Sequence, residues 1–189
     1  MKNYCLEIAG LKRELPFVKI SDELAYASFV VISDGQLIEQ VAPLLAAKLP
    51  ETDVVVTAEA KGIALAYEVS KQLQLDRFVV ARKSVKSYMK DPISVPVRSI
   101  TTFTEQNLYL DGNDIAYLKG KRVCLLDDVV STGGSLKALE ELVLKAGGKI
   151  ACQAAILAEG EAAERKDLIF LQKLPLFRKV AEGDYEEIA

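Results

Sequence analysis

Short, nearly pure apolar runs alternate along this chain with longer stretches in which apolar residues recur every three or four positions. That alternation predicts βαβ units and a mostly parallel sheet flanked by helices, an α/β fold. Residues 53–57 (DVVVT) form a run apolar enough for a strand covered on both faces. Residues 62–73 follow with Ile63, Tyr67, Val69 and Leu73 on helical spacing. Strands are expected at 78–81, 123–126 and 149–157, and a helix at 136–146 that stops at Gly147-Gly148. An earlier helix is expected over 35–49, capped by Ser33 or Asp34. Pro43 inside it predicts a kink or a later start.

Two regions break the rhythm. The first 32 residues are a preamble of mixed patterning that contains Pro16. Residues 83–113 are long for a connection and carry Pro92 and Pro96. Alternation at 99–103 and 108–110 suggests a β-hairpin arm there, and an excursion of that length is a functional lid or a disordered segment.

The length of 189 residues suits one domain, and the net charge of −3 offers no basic surface for nucleic acid or membrane. No apolar run approaches the ~20 residues of a membrane span, and the first residues lack the pattern of a signal peptide. Three scattered cysteines, Cys5, Cys124 and Cys152, make no disulfide framework or zinc cluster. Cys124 and Cys152 lie in apolar runs and read as buried free thiols, which suits a cytoplasmic setting. Histidine is absent, which excludes Ser-His-Asp and Cys-His chemistry and every His-ligated metal.

The chemistry concentrates in residues 123–135, VCLLDDVVSTGGS. A buried strand delivers Asp127 and Asp128 to its C-terminal end, where ligands bind in open α/β sheets. A loop of small and hydroxyl-bearing residues then leads into a helix, so that successive backbone N–H groups can hold an anion. Carboxylates beside a phosphate site call for hydroxyl groups or a metal, and a ribose 5-phosphate supplies phosphate and hydroxyls together. A P-loop is excluded, because no lysine follows the glycines.

This run resembles the PRPP-binding signature of type I phosphoribosyltransferases (PRPP is 5-phosphoribosyl diphosphate). The resemblance covers about residues 53–157 and is closest to the adenine and xanthine enzymes. It implies a single domain over 1–189, with a core of about 33–160. A small hood over the base would come from about 1–32 plus a C-terminal segment around Leu174-Pro175-Leu176-Phe177. Asp127 and Asp128 would hold the ribose, and Ser131, Thr132, Gly133, Gly134 and Ser135 the 5-phosphate, with Val129 and Val130 beside them. The loop Glu59, Ala60, Lys61 and Gly62 would meet pyrophosphate, although Gly62 could serve helix packing alone. Arg82, Lys83 and Lys86 match the R-K-x-x-K spacing of adenine enzymes, where these cations meet pyrophosphate; otherwise they are a solvated basic stretch.

Within the arm, Glu105 falls one residue from the place of a glutamate that adenine enzymes use near the base. Phe17, Tyr26 and Phe29 are stacking candidates for a purine, or else core residues. The Phe-Pro-Gly-rich N-terminal pattern of adenine enzymes is absent, and Ala25 stands where xanthine enzymes carry an asparagine. The implied reaction passes the phosphoribosyl group of PRPP to a purine, adenine ahead of a 6-oxopurine, and releases pyrophosphate. Mg²⁺ would be held mainly by PRPP and water, with no dedicated protein ligands. The resemblance also implies a homodimer. The alternative is a PRPP sensor of the same fold that does not turn the ligand over.

Overall fold

The computed structural model describes residues 3–97, 106–181 and 184–188. Its centre is a parallel sheet of five strands: β5 (Val54–Ala58), β6 (Val79–Ala81), β9 (Arg122–Val130), β10 (Lys149–Glu159) and β11 (Leu168–Leu174). Their order is β11-β10-β9-β5-β6. Helices α1 (Gly35–Ala46) and α2 (Ile63–Gln72) cover one face, α4 (Gly134–Lys145) the other. Because both faces are covered, Val54, Val55 and Val56 are all fully buried, as the unbroken apolar run predicted. The α/β expectation therefore holds. Among the described residues no helix is long and apolar enough to cross a membrane.

The preamble forms a hairpin of β1 (Tyr4–Ile8) and β2 (Leu11–Leu15), then β3 (Phe17–Lys19) and β4 (Leu24–Ala27). The last two join β12 (Leu176–Ala181) and β13 (Asp184–Ile188) in a second sheet, where Leu176 pairs with Tyr26 and Phe177 with Ala25. The two ends of the chain thus build one antiparallel layer. The excursion forms a hairpin of β7 (Ile93–Val97) and β8 (Gln106–Leu110), followed by a helix α3 (Gly112–Leu118) that the sequence pattern did not suggest. The alternation at 99–103 and Glu105 lie outside the described residues. The root of the hairpin is fixed: Arg82 and Tyr109 exchange backbone hydrogen bonds, and Asp111 accepts from the Lys90 N–H at 2.7 Å. Val95, Leu108 and Leu110 are buried in the core beside α4.

Helix α1 begins at Gly35, capped by the Asp34 carboxylate on the Leu37 N–H at 3.1 Å, so Pro43 delays no start. Pro43 lies near the C-terminal end, and the carbonyl it leaves unpaired belongs to exposed Glu39, where water can serve it. Of the cysteines, all free, Cys124 is buried, Cys152 only half-buried and Cys5 exposed.

At the opposite end of the sheet from the loops, Asp53 ties β5 to β9. Its carboxylate accepts from the Arg122 backbone N–H at 2.7 Å and from the Arg122 guanidinium at 2.6 and 3.1 Å. The guanidinium and then the backbone bond hold Asp53 well below the usual carboxylate range. A depressed folded pKa contributes stability that is complete above the unfolded value, ~3.9, and is lost as pH falls through the folded value. Asp53→Asn therefore lowers the melting temperature near neutral pH, and its gap to wild type closes on acidification below that range. A melting gap that ignores pH would contradict the clamp.

Candidate active site

Strand β5 has β6 on one side and β9 on the other, so the winding reverses there. A crevice opens at such a point beyond the carboxyl ends of the strands, and ligands bind in it. The segments that follow β5 and β9 are the two loops singled out from the sequence.

Strand β9 runs on to Val130, so Asp127 and Asp128 belong to the strand and not to a loop after Leu126. Successive strand residues point to opposite faces. Asp127 lines a pocket of about 160 Å³ with Val97, Val129, Val130 and residues 131–136. Asp128 is buried, 3.4 Å from the Lys61 ammonium, and its Oδ2 accepts no hydrogen bond. Burial, and then the adjacent Asp128 charge, push Asp127 up to about 7, although it accepts the Asp128 N–H at 2.8 Å. The pair is thus short of hydrogen-bond donors, a lack that sugar hydroxyls or metal-bound water would meet. Among the described residues no three Asp, Glu, Cys or His side chains gather around a metal position. The two aspartates fit a magnesium ion carried mostly by its own phosphate ligand and water.

The loop turns into α4 through Gly133, whose φ of 78° is the left-handed conformation that glycine tolerates. Helix α1 has a side-chain cap; α4 has none, so its first-turn N–H groups are left for an anion. Ser131, Thr132 and Ser135 are exposed around them.

The loop after β5 folds back onto its own strand. A Cβ on Gly62 would stand 2.2 Å from Thr57 Oγ1, so Gly62 is required by close approach. The Glu59–Ala60 peptide is cis. The Glu59 carboxylate turns toward the basic stretch, accepting from Arg82 at 3.2 and 3.4 Å and from the Lys83 N–H at 3.0 Å. The Lys83 bond and then the Arg82 guanidinium lower its pKa. Glu59 therefore organises the basic stretch, and Arg82, which also bonds the Tyr88 hydroxyl at 3.1 Å, arrives already paired. Lys86 donates to Ser84 at 2.7 Å.

A second pocket, of about 510 Å³, lies between this site and the terminal sheet. Tyr26, Phe29, Leu174 and Leu176 give it apolar walls, and Lys61, Ser131, Thr132 and Glu159 its polar groups. Phe29 is both buried core and pocket lining, so its two readings meet in one residue. Phe17 is elsewhere: it stacks on Tyr185 at 4.4 Å and meets Phe177 edge-on, lining another groove. Glu159, at the end of β10, was not among the residues read from the sequence. Burial raises its pKa, against a bond from Ser131 and the charge of Lys61. No local pattern in the sequence singles it out; the fold does, by setting it beside Ser131.

Residues 31–181 match the phosphoribosyl transferase domain. The hypoxanthine/guanine phosphoribosyltransferase of Methanothermococcus okinawensis is 32% identical over 137 residues, 71% of this chain and 70% of that one. That of Methanotorris igneus is 32% identical over 158 residues, 79% of this chain and 80% of its own. The crystal structure of an adenine phosphoribosyltransferase from Thermoanaerobacter pseudethanolicus superposes with a TM-score of 0.68 at 19% identity, covering 85% of this chain and 95% of that one. With the family's domain spanning the whole parallel sheet and both loops at its crevice, this chain belongs to the phosphoribosyltransferase family.

Proposed function

We propose that the protein transfers the 5-phosphoribosyl group of PRPP to a purine, with adenine ahead of the 6-oxopurines. The observation that carries this reading is that the small polar pocket and the larger apolar one share Val129, Ser131 and Thr132. A phosphate in the first and a base in the second leave the sugar over Asp127 and Asp128. The apolar pocket is within the usual ~300–1,000 Å³ of ligand sites.

In this reading the loop 131–135 binds the 5-phosphate and the aspartates orient the ribose hydroxyls. Lys83 and Lys86 meet the departing diphosphate, and Glu59 keeps their loop in place. The anomeric carbon gains positive charge as pyrophosphate leaves, so the residues act by positioning and electrostatics. Bound Mg²⁺ would offset charge on the diphosphate oxygens. The β-hairpin closes over the site and excludes water, while the terminal sheet serves as the hood. The homodimer implied by the resemblance and the cytoplasmic setting read from the cysteines belong to the same proposal.

Glu159 favours adenine because its carboxyl can accept from the 6-amino group. A 6-oxopurine instead needs a donor, and the pocket's cation, Lys61, is engaged by Asp128. The relatives named for hypoxanthine and guanine favour the second reading, a 6-oxopurine. Turnover of adenine, hypoxanthine, guanine, xanthine, orotate and uracil with PRPP separates the two. Adenine is expected to lead, and Glu159→Leu to lower its kcat/KM by roughly 10–150-fold, the worth of one charged hydrogen bond. A lead for guanine or hypoxanthine installs the second reading and removes this role of Glu159. Preference for orotate or uracil overturns the purine assignment.

A further inference from the structure

Arg165 follows the 3-10 turn Gly160–Glu164 and reaches back to the loop that opens α4. A Cβ on Gly133 would stand 2.8 Å from Arg165 Nη1, so the guanidinium lies directly against that left-handed residue. Its other nitrogens are committed. Nε and Nη2 donate to Asp167 at 3.1 and 2.8 Å, and Nη2 also donates to Gln153 at 2.8 Å. Gln153, itself buried on β10, donates to Glu140 of α4 at 3.0 Å. The group is thus anchored to both elements behind the loop. Among the described residues Nη1 has no acceptor.

A fixed cation at the N-terminal end of a helix opposes the helix dipole. The placement becomes favourable when an anion occupies the loop, because both the dipole and the guanidinium then face it. Arg165 does not line the phosphate pocket, so it acts through Gly133 and through its field. We infer that Arg165 is a positioning residue of the 5-phosphate loop: it buttresses the Gly133 turn from behind and adds a positive charge that the loop's own sequence lacks. The inference rests on reading that loop as the 5-phosphate site.

Calorimetric titration with ribose 5-phosphate and, separately, with pyrophosphate in the presence of Mg²⁺ tests it. Arg165→Gln is expected to raise Kd for ribose 5-phosphate at least tenfold, while Kd for pyrophosphate, which belongs at the other loop, stays within twofold. Arg165→Lys, which keeps the charge, should recover affinity to within about threefold of wild type. If Arg165→Gln does not fold, Gln153→Met releases Nη2 without removing the charge and should raise Kd for ribose 5-phosphate about threefold, again sparing pyrophosphate. Unchanged ribose 5-phosphate binding in the variant overturns the role of Arg165, and so does an equal loss of both ligands. Failure of the wild type to bind ribose 5-phosphate or PRPP instead sinks the underlying reading of the loop.

Discussion

Replacing Asp127 and Asp128 together with asparagine lowers affinity for PRPP by about 10²–10⁴-fold, because two hydrogen bonds to charged acceptors are lost at ~1.5–3 kcal/mol each. Asparagine keeps the shape of both side chains, so the strand end stays packed. Among the described residues the one ion pair broken is that of Asp128 with Lys61, whose side chain is 51% exposed and regains water. Thermal unfolding should therefore move little while binding collapses. Asp128 is the more exacting position, since it is only 1% exposed and its Oδ2 accepts no hydrogen bond from the described residues. Calorimetric titration of PRPP with Mg²⁺ reads the effect, and undiminished affinity in the double variant would place the ribose elsewhere.

Gly62→Ala is the second large effect. The residue has an ordinary φ of −77°, so the obstacle is space: the new methyl would stand 2.2 Å from Thr57 Oγ1 and 3.4 Å from its Cβ. Thr57 is fully buried on β5 and cannot retreat, so the loop 59–62 must move. Overpacking of this kind costs about 1–3 kcal/mol. For a chain of this size that is a fall of roughly 2–12 °C in melting temperature. Moving the loop also shifts Lys61 and Glu59, and with Glu59 the basic stretch, so turnover should fall more than stability alone explains. Thr57→Ala removes the clashing oxygen and leaves only ordinary contact with its Cβ, so Thr57→Ala/Gly62→Ala should regain most of both losses. Absence of rescue would show that Gly62 matters for another reason.

The parts of the fold readable from sequence were those with local causes. The valines of β5 announced a strand covered on both sides, and the strand–acid–hydroxyl–glycine–helix order announced the turn from β9 into α4. Boundaries slipped where one residue type serves two purposes. Gly134 reads as a turn yet opens α4, and β9, expected to end at residue 126, runs on through Asp127 and Asp128 to Val130. The terminal sheet depends on pairing Leu176 with Tyr26 across most of the chain, which no local pattern encodes. Glu159 and Arg165 were missed for the same reason: each becomes notable only when the fold sets it beside Ser131 or Gly133. The loop 59–62 is expected from the resemblance to meet pyrophosphate; what no local pattern announced is that the Glu59 carboxylate turns to Arg82 and Lys83, a partnership between segments more than twenty residues apart.

In the proposed reading this site turns PRPP over and does not merely hold it. Phosphorus NMR of the protein with PRPP, Mg²⁺ and adenine follows both outcomes in one sample, with the Asp127→Asn/Asp128→Asn variant as control. PRPP is expected to disappear while pyrophosphate and the nucleoside monophosphate rise in equal amounts, only when a purine is present and only with wild type. Binding of PRPP without consumption, with adenine and each other base in turn, would contradict it and make the protein a sensor.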